Sequence, residues 1–141
     1  MNNQCKILLV DDDANIYKLI KLNLEVDLFQ ISYAKNSRQA LELITSNNFD
    51  LIMIDILMPE TDGLSLLRSM KPRLPSNTII ILITAYVLEQ PLMTALDEGV
   101  YDIIQKPFTA NRLKLTVRNA WNYKILLDRL QQMKKNDQYE D

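Results

Sequence analysis

Histidine is absent from this sequence of 141 residues, and the chain has one cysteine and two glycines. Without an imidazole there is no histidine to act as a general base, to activate a serine or cysteine nucleophile, or to bind a metal ion. The single cysteine, Cys5, excludes an internal disulfide and a thiolate zinc cluster, and it fits a reducing, cytoplasmic setting. Carboxylates must therefore carry any chemistry at a site in this chain.

Long apolar runs and a strong charge of either sign are also missing. The apolar run at residues 6–10 is too short for a signal peptide or a membrane span. The formal net charge is −2 with acidic and basic residues mixed, so the composition disfavours direct contact with nucleic acid or an anionic membrane. With 48% apolar residues, the length fits one soluble globular domain with a sizeable core.

Short apolar runs alternate with helical patterns along the chain. The runs that predict strands are 6–10, 29–34, 50–54, 78–84 and 102–104. The patterns that predict helices are 14–26, 37–46, 63–70, 91–98 and about 109–135. Ser37 and Thr109 are the expected N-caps of two of these helices, and Gly99 follows the fourth. The alternation predicts an α/β fold, a doubly wound parallel sheet with helices on both faces.

Ligands of such sheets bind at the carboxyl ends of the strands, where strand order reverses. Four of the predicted strands are followed by polar residues of distinct types: Asp11, Asp12 and Asp13, then Asp55, Thr84 and Lys106. A cluster of carboxylates alone suits a hard cation such as Mg²⁺. A carboxylate can also attack phosphorus to form an aspartyl phosphate, whose transition state a cation, an ammonium and a hydroxyl would stabilise.

Each of these residues also has an ordinary explanation. Asp13 could cap the first helix, Asp55 could belong to the turn before Pro59, Thr84 could simply end a strand, and Lys106 could lie in a solvated loop. For any one position the ordinary explanation is favoured. Four adjacent strand ends with the residue types that phosphoryl transfer needs favour a phosphoryl site.

Together these motifs resemble the receiver domains of two-component response regulators, over residues 6 to about 125. The matching segments are the acidic pair after KILLV, DILMPETDG from Asp55 to Gly63, Thr84-Ala85, and Lys106-Pro107-Phe108. The resemblance implies a flavodoxin-like sheet of five parallel strands in the order 2-1-3-4-5, with five helices. It also implies a phosphorelay protein that takes a phosphoryl group from the phosphohistidine of a partner histidine kinase or phosphotransfer protein.

The resemblance assigns a role to each matching residue. Asp55 would be the phosphoacceptor, Asp12 would bind Mg²⁺ directly, and Asp11 would assist through water. The backbone carbonyl of Leu57 would add a metal ligand, and Lys106, joined to Pro107 by a cis bond, would contact the phosphoryl group or pair with Asp55. No other cofactor is implied.

The same resemblance predicts a switch formed by Thr84, Ala85 and Ile103. Thr84 would turn inward to the phosphate, and the surface of the fourth helix, fifth strand and fifth helix would be read by partners. Ile103 departs from the family, which often has an aromatic residue at this position. Tyr101 lies two residues earlier, which predicts the same strand face at a different height. The two glycines, Gly63 and Gly99, occupy family positions where a positive φ would explain them.

The last helical pattern runs beyond what a receiver needs. A 3,4 spacing links Leu113, Thr116, Ala120, Tyr123, Leu127 and Leu130. This spacing fits either an ordinary amphipathic core helix or a dimerisation helix. We therefore divide the chain into a receiver domain, residues 1–125, and a helical extension or linker, residues 126–141, which could lead to an output domain.

Two other functions are open to this sequence. An aspartate-nucleophile phosphohydrolase of the haloacid dehalogenase type would need a second aspartate two residues after Asp55, and that residue is Leu57. We therefore expect no turnover of an external substrate. A pseudo-receiver that binds partners without phosphate is disfavoured by the complete set of Asp12, Asp55, Thr84 and Lys106.

Overall fold

The computed structural model describes residues 4–60, 62–85 and 97–138. Within them, five strands and four α-helices follow one another along the chain: β1 (Cys5–Val10), α1 (Ala14–Asn23), β2 (Phe29–Ala34), α2 (Ser37–Ser46), β3 (Leu51–Asp55), α3 (Gly63–Met70), β4 (Ile79–Thr84), β5 (Asp102–Gln105) and α4 (Ala110–Gln138). A 3₁₀ turn, Lys71–Arg73, follows α3. The helix predicted for residues 91–98 lies outside the described residues except for its last two. We call α4 the C-terminal helix.

The sheet is entirely parallel, in the order β2-β1-β3-β4-β5. This confirms the predicted doubly wound, flavodoxin-like sheet, with four helices among the described residues where five were predicted in the whole chain. The register sets Val10 opposite both Ala34 and Ile54, and Thr84 opposite Gln105, so the carboxyl ends of these strands meet at one edge. Among the described residues, no helix is both long and apolar enough to cross a membrane.

The core has two layers, one on each face of the sheet. α2 and α3 cover the first face through residues such as Ile44 and Leu67. α1 and the C-terminal helix cover the second through residues such as Ile20 and Val117. Every residue of β3 and β4 is buried, as expected for central parallel strands with helices on both faces.

Helix caps explain several boundaries. Asp13 caps α1 by accepting a hydrogen bond from the backbone N–H of Asn15, and the Thr109 hydroxyl accepts one from the N–H of Arg112. The prediction that Ser37 caps α2 is wrong. The cap is Asn36, which has an extended backbone and whose side chain accepts from the N–H of Gln39 at 2.9 Å, so Ser37 is the first helical residue.

The two glycines are required for different reasons. Gly99 has φ +82°, as expected, because a side chain disfavours this left-handed conformation. Gly63 does not have a positive φ, so that part of the expectation is wrong. A Cβ at Gly63 would lie 2.4 Å from the backbone oxygen of Asp55, and this close approach explains why the residue is glycine.

The C-terminal helix stays in contact with the domain beyond residue 125. Lys124, 7% exposed, donates to both carboxylate oxygens of Asp128 and lies 3.5 Å from Asp50. Asn77 donates to Asp128, and Gln131 donates to the Ser76 hydroxyl at 3.2 Å. The division at residues 125 and 126 stays a prediction, and these contacts argue for a later boundary.

Candidate phosphoryl site

The carboxyl edge of the sheet gathers the residues that the sequence singled out. Asp11 and Asp12 follow β1, Asp55 ends β3, Thr84 ends β4, and Lys106 follows β5. The backbone draws these strand ends together: the N–H of Lys106 donates to the carbonyl of Thr84 at 2.7 Å. Asp11, Asp55 and Thr84 are buried, and Asp12 is exposed. This edge of the sheet therefore has two buried carboxylates, Asp11 and Asp55, and solvent reaches it at the exposed Asp12.

Lys106 joins the two buried carboxylates. Its Nζ lies 2.9 Å from Oδ2 of Asp11 and 3.2 Å from Oδ2 of Asp55. Burial disfavours the charged ammonium, but the hydrogen bond and charge of Asp11, together with Asp55, outweigh burial and raise the pKa of Lys106. The ammonium is therefore a fixed positive charge between the strands. The peptide bond between Lys106 and Pro107 is cis, as predicted.

Asp11 is the most constrained carboxylate. Its side chain is fully buried, and Oδ1 accepts a hydrogen bond from the N–H of Asp13 at 2.9 Å. Burial is the main cause that raises the pKa of Asp11 to about 6, and the charge of Asp55 adds to it, although the Asp13 N–H and Lys106 act in the opposite direction. Two buried carboxylates that share one ammonium leave an excess of negative charge.

A divalent cation would offset this excess. Asp11, Asp12 and Asp55 each offer a carboxylate oxygen, and these three atoms lie within 4.8 Å of one another. Oxygen ligands from carboxylates are what Mg²⁺ prefers, and it keeps several of its waters. A cavity of about 180 Å³ beside Asp12, bordered also by Met58 and Lys35, has room for several water molecules. The donor set and the space both fit Mg²⁺.

The backbone after β3 holds Asp55 in place. Oδ1 of Asp55 accepts a hydrogen bond from the N–H of Leu57 at 3.1 Å, and the N–H of Gly63 donates to the carbonyl of Ile56 at 2.7 Å. Asp55 thus has one oxygen toward Leu57 and the other toward Lys106. The role of the Leu57 carbonyl as a metal ligand stays a prediction.

The residues predicted for the switch lie next to this site. Thr84 is buried, and Ala85 directly after it is exposed. Ile103 is half-buried and packs against the first core layer. The prediction that Tyr101 shares the face of Ile103 is wrong: Tyr101 precedes β5, packs against the second layer and stacks on Tyr123 with ring centroids 5.2 Å apart.

The sequence alone missed one polar group near the acidic residues. Tyr33 is the penultimate residue of β2, and its hydroxyl oxygen is buried without a hydrogen-bond partner among the described residues. Burial and then the charges of Asp11, Asp12 and Asp13 raise the pKa of Tyr33. The pairing of β2 with β1 could have pointed to this tyrosine, since Tyr33 stands opposite Leu9.

Known proteins are similar to this chain in sequence and fold. The sequence model of the response regulator receiver domain family matches residues 7–118. Regulatory protein AtoC of Escherichia coli (strain K12) is 35% identical over 130 residues, which cover 92% of this chain and 26% of AtoC. Transcriptional regulatory protein ResD of Bacillus subtilis (strain 168) is 35% identical over 116 residues, 82% of this chain and 48% of ResD.

A solved structure agrees with the sequence comparisons. The CheY-like response regulator receiver domain protein from Methanospirillum hungatei JF-1 superposes with a TM-score of 0.78 and 26% identity, covering 86% of this chain and 96% of that one. The chain therefore belongs to the response regulator receiver domain family of two-component signalling systems. It spans only about a quarter of AtoC and half of ResD.

Proposed function

We propose that this chain is a phosphorylation switch in which Asp55 accepts a phosphoryl group from a phosphohistidine on a partner kinase or phosphotransfer protein. One carboxylate oxygen of Asp55 attacks phosphorus, the new O–P bond forms as the N–P bond breaks, and the imidazole nitrogen leaves with the electron pair. The observation that carries this proposal is the position of Lys106, within 3.2 Å of Asp55 and 2.9 Å of Asp11. Its ammonium can follow the phosphoryl oxygens during transfer.

Asp11, Asp12 and Asp55 would hold Mg²⁺, which supplies charge neutralisation to the phosphoryl oxygens when it is bound. The chain's own residues do the rest. The N–H of Leu57 orients the nucleophilic carboxylate, and burial of Asp11 and Asp55 keeps bulk water from their inner oxygens. Position Leu57 offers no carboxylate to activate water, so the proposal includes no turnover of an external substrate.

The switch would involve Thr84, Ala85 and Ile103. A phosphoryl group on Asp55 would attract the Thr84 hydroxyl, and because β4 and β5 are paired at Thr84 and Gln105, movement there is passed to β5. The surface formed by the helix predicted for residues 91–98, β5 and the C-terminal helix would then be recognised by a partner. The proposed location is the cytoplasm, which agrees with a single, buried, unpaired cysteine.

We also propose a homodimer through the C-terminal helix. The residues that would form its dimer seam, the stripe of apolar side chains shared by two helices, differ from those of the predicted 3,4 spacing. Leu113, Thr116 and Ala120 are buried against the sheet, so the first half of the predicted spacing is a core face. Beyond it, a different set is exposed at 3,4,3 spacing: Tyr123, Leu126, Leu130 and Met133. Burial of such a stripe against a second copy would remove apolar surface from water.

The phosphorylation proposal is tested by intact mass after incubation with acetyl phosphate and Mg²⁺. The wild-type chain should gain one phosphoryl mass, and Asp55→Asn and a sample containing EDTA should not. Asp27→Asn, which removes an exposed carboxylate away from the site, should behave as wild type. No gain in the wild type, with Mg²⁺ present, would favour the pseudo-receiver.

The dimer is tested by light scattering over a concentration series. Leu130→Ser should shift the wild-type dimer toward monomer, whereas Leu22→Ser, at an 84% exposed leucine on α1, should not. A wild-type chain that is monomeric at every concentration, or an equal loss in both variants, would count against the seam.

A further inference from the structure

Tyr33 has no part in the proposed phosphoryl transfer. It lies near the end of β2, and β2 pairs with β1, the strand that precedes Asp11. The backbone N–H of Asp11 donates to the carbonyl of Ala34 at 3.1 Å, directly after Tyr33 in β2. Tyr33 stands opposite Leu9 in the register, and both side chains pack on the second core layer. Because side chains alternate along a strand, Asp11 follows Leu9 on this same face of the sheet. Tyr33 thus flanks Asp11 on the β2 side, away from Lys106.

The ring of Tyr33 is fixed by stacking. It lies parallel to the ring of Tyr17, with centroids 4.7 Å apart and an interplanar angle of 4°. Tyr17 belongs to the start of α1, just after the cap residue Asp13. A stacked ring on a strand has little freedom to turn its hydroxyl elsewhere. The position of the hydroxyl is therefore set by β2, which pairs with β1, and by α1, which Asp13 caps.

The hydroxyl lacks a partner where polar groups normally have one. Its oxygen is buried without a hydrogen bond among the described residues, which costs free energy in the metal-free chain. Burial and then the charges of Asp11, Asp12 and Asp13 raise the pKa of Tyr33. A phenol can both donate and accept one hydrogen bond, so a carboxylate and a water molecule could satisfy it together.

We propose that Tyr33 is a positioning residue of the cation site, whose hydroxyl accepts a hydrogen bond from a water in the hydration shell of bound Mg²⁺ and donates its own proton to an adjacent carboxylate. The inference rests on the proposed Mg²⁺ site and extends it to the side opposite Lys106. Mg²⁺ keeps several waters when it binds proteins, so groups that orient these waters affect its affinity. Tyr33 contacts neither the phosphoryl group nor the metal.

The test is a calorimetric titration of the whole chain with MgCl₂, comparing wild type, Tyr33→Phe and Tyr17→Phe. Tyr33→Phe keeps the stacked ring and removes only the hydroxyl, so Mg²⁺ affinity should fall by about 3- to 10-fold, the effect of one hydrogen bond. Tyr17→Phe should change it less than 2-fold. With CaCl₂ the loss in Tyr33→Phe should be smaller, because Ca²⁺ gives up its waters more readily.

A second readout separates positioning from folding. Because the hydroxyl makes no hydrogen bond within the described part of the chain, the Tm of Tyr33→Phe in EDTA should equal or exceed that of wild type. The ¹³Cζ resonance of Tyr33, but not of Tyr17, should shift with Mg²⁺. Failure of the wild type to bind Mg²⁺ would overturn the proposed cation site itself. If the wild type binds, an unchanged affinity in Tyr33→Phe, an equal loss in Tyr17→Phe, or a lower Tm in EDTA would overturn the role of Tyr33.

Discussion

Each end of the sheet holds one lysine between two aspartates. At the carboxyl end, Lys106 lies between Asp11 and Asp55 at 2.9 and 3.2 Å. At the amino end, Lys124 contacts Asp128 at 2.7 Å and Asp50 at 3.5 Å. The chemical groups are the same, but their burial is inverted. Asp11 and Asp55 are buried and Lys106 is half-buried, whereas Lys124 is buried and both of its aspartates have access to solvent.

This difference in burial distinguishes a candidate ligand site, at the carboxyl end, from a set of structural ion pairs, at the amino end. Buried anions with a single cation remain in need of positive charge, and Asp12, which makes no ion pair among the described residues, adds another anion. A buried cation with two partly hydrated carboxylates is already neutralised, and Asp50 gains a further hydrogen bond from the N–H of Lys6. The carboxyl end is therefore suited to bind ligands, and the amino end to stabilise the fold.

The largest expected effect is at the backbone of the carboxyl end. Gly63→Ala should lower the free energy of unfolding by about 3 kcal/mol, because the new Cβ would collide with the backbone of Asp55 and Ile56. Gly99→Ala should cost about 1 kcal/mol, since its added Cβ meets only the flexible end of Lys71 and the cost comes from φ. Urea denaturation measures both, and equal losses would contradict the assignment of a backbone clash to Gly63.

Next is the lysine of the amino end. Lys124→Met should lower the free energy of unfolding by about 2 kcal/mol, less than for a fully buried pair because water reaches both carboxylates. The control is Lys134→Met, on the exposed part of the same helix, which should change stability by less than about 0.5 kcal/mol. Chemical denaturation in EDTA gives both values. Similar stability of the two variants would mean that the Lys124 contacts contribute nothing.

A substitution of Asp11 should raise the free energy of unfolding, unlike the substitutions above, which lower it. Burial raises the pKa of Asp11 from 3.8 to about 6. The ionised side chain therefore destabilises the folded chain, with its full effect above pH 6, and this destabilisation disappears as the pH falls below about 4. Asp11→Asn should therefore stabilise the metal-free chain by about 1 to 3 kcal/mol at pH 8 and by little at pH 4. Asp50→Asn, at the amino end, should destabilise it at pH 8. Loss of stability in Asp11→Asn at pH 8 would refute the inversion.

The smallest effect concerns the cap of α3. Asp62→Ala should cost about 1 kcal/mol, because Asp62 accepts a hydrogen bond from the N–H of Ser65. This bond is the main cause that lowers the pKa of Asp62, so the stabilisation from its charge is present above the pKa of the unfolded chain and is lost as the pH falls through the folded value. Asp62→Asn keeps the acceptor and should lose less. Thermal unfolding between pH 3 and 7 should show that the advantage of the wild-type chain over Asp62→Asn shrinks as Asp62 is protonated in acid, whereas the difference between Asp62→Asn and Asp62→Ala stays constant.

The sequence predicted the sheet and the carboxyl-end residues because strand period and strand ends are local properties. Apolar runs locate β3 and β4, and these strands end at two residues of the candidate site, Asp55 and Thr84. The roles of Asp12, Leu57 and Thr84 stay predictions. Contacts between distant segments were not predictable in this way. Neither the Lys124 network nor Tyr33 follows a periodic pattern, since each depends on packing between elements far apart in the chain.

The C-terminal helix is a second case in which a local sequence pattern did not predict the contacts. A 3,4 spacing of apolar residues is common to a core face and a dimer face, and it does not state which surface covers each residue. Leu113 and Ala120 meet the sheet, whereas Leu126 and Met133 project outward. Only the path of the helix across the domain separates the two groups.

The length of the C-terminal helix has a mechanical consequence. The helix runs from Ala110, near the phosphoryl site, to Gln138, and the Lys124 contacts hold it at its middle residue. At a rise of 1.5 Å per residue, each arm measures about 21 Å. A rigid rod that pivots at its centre moves its two ends by equal distances in opposite directions. A 5° tilt about Lys124 would thus move Ala110 and Gln138 by about 2 Å each, in opposite directions.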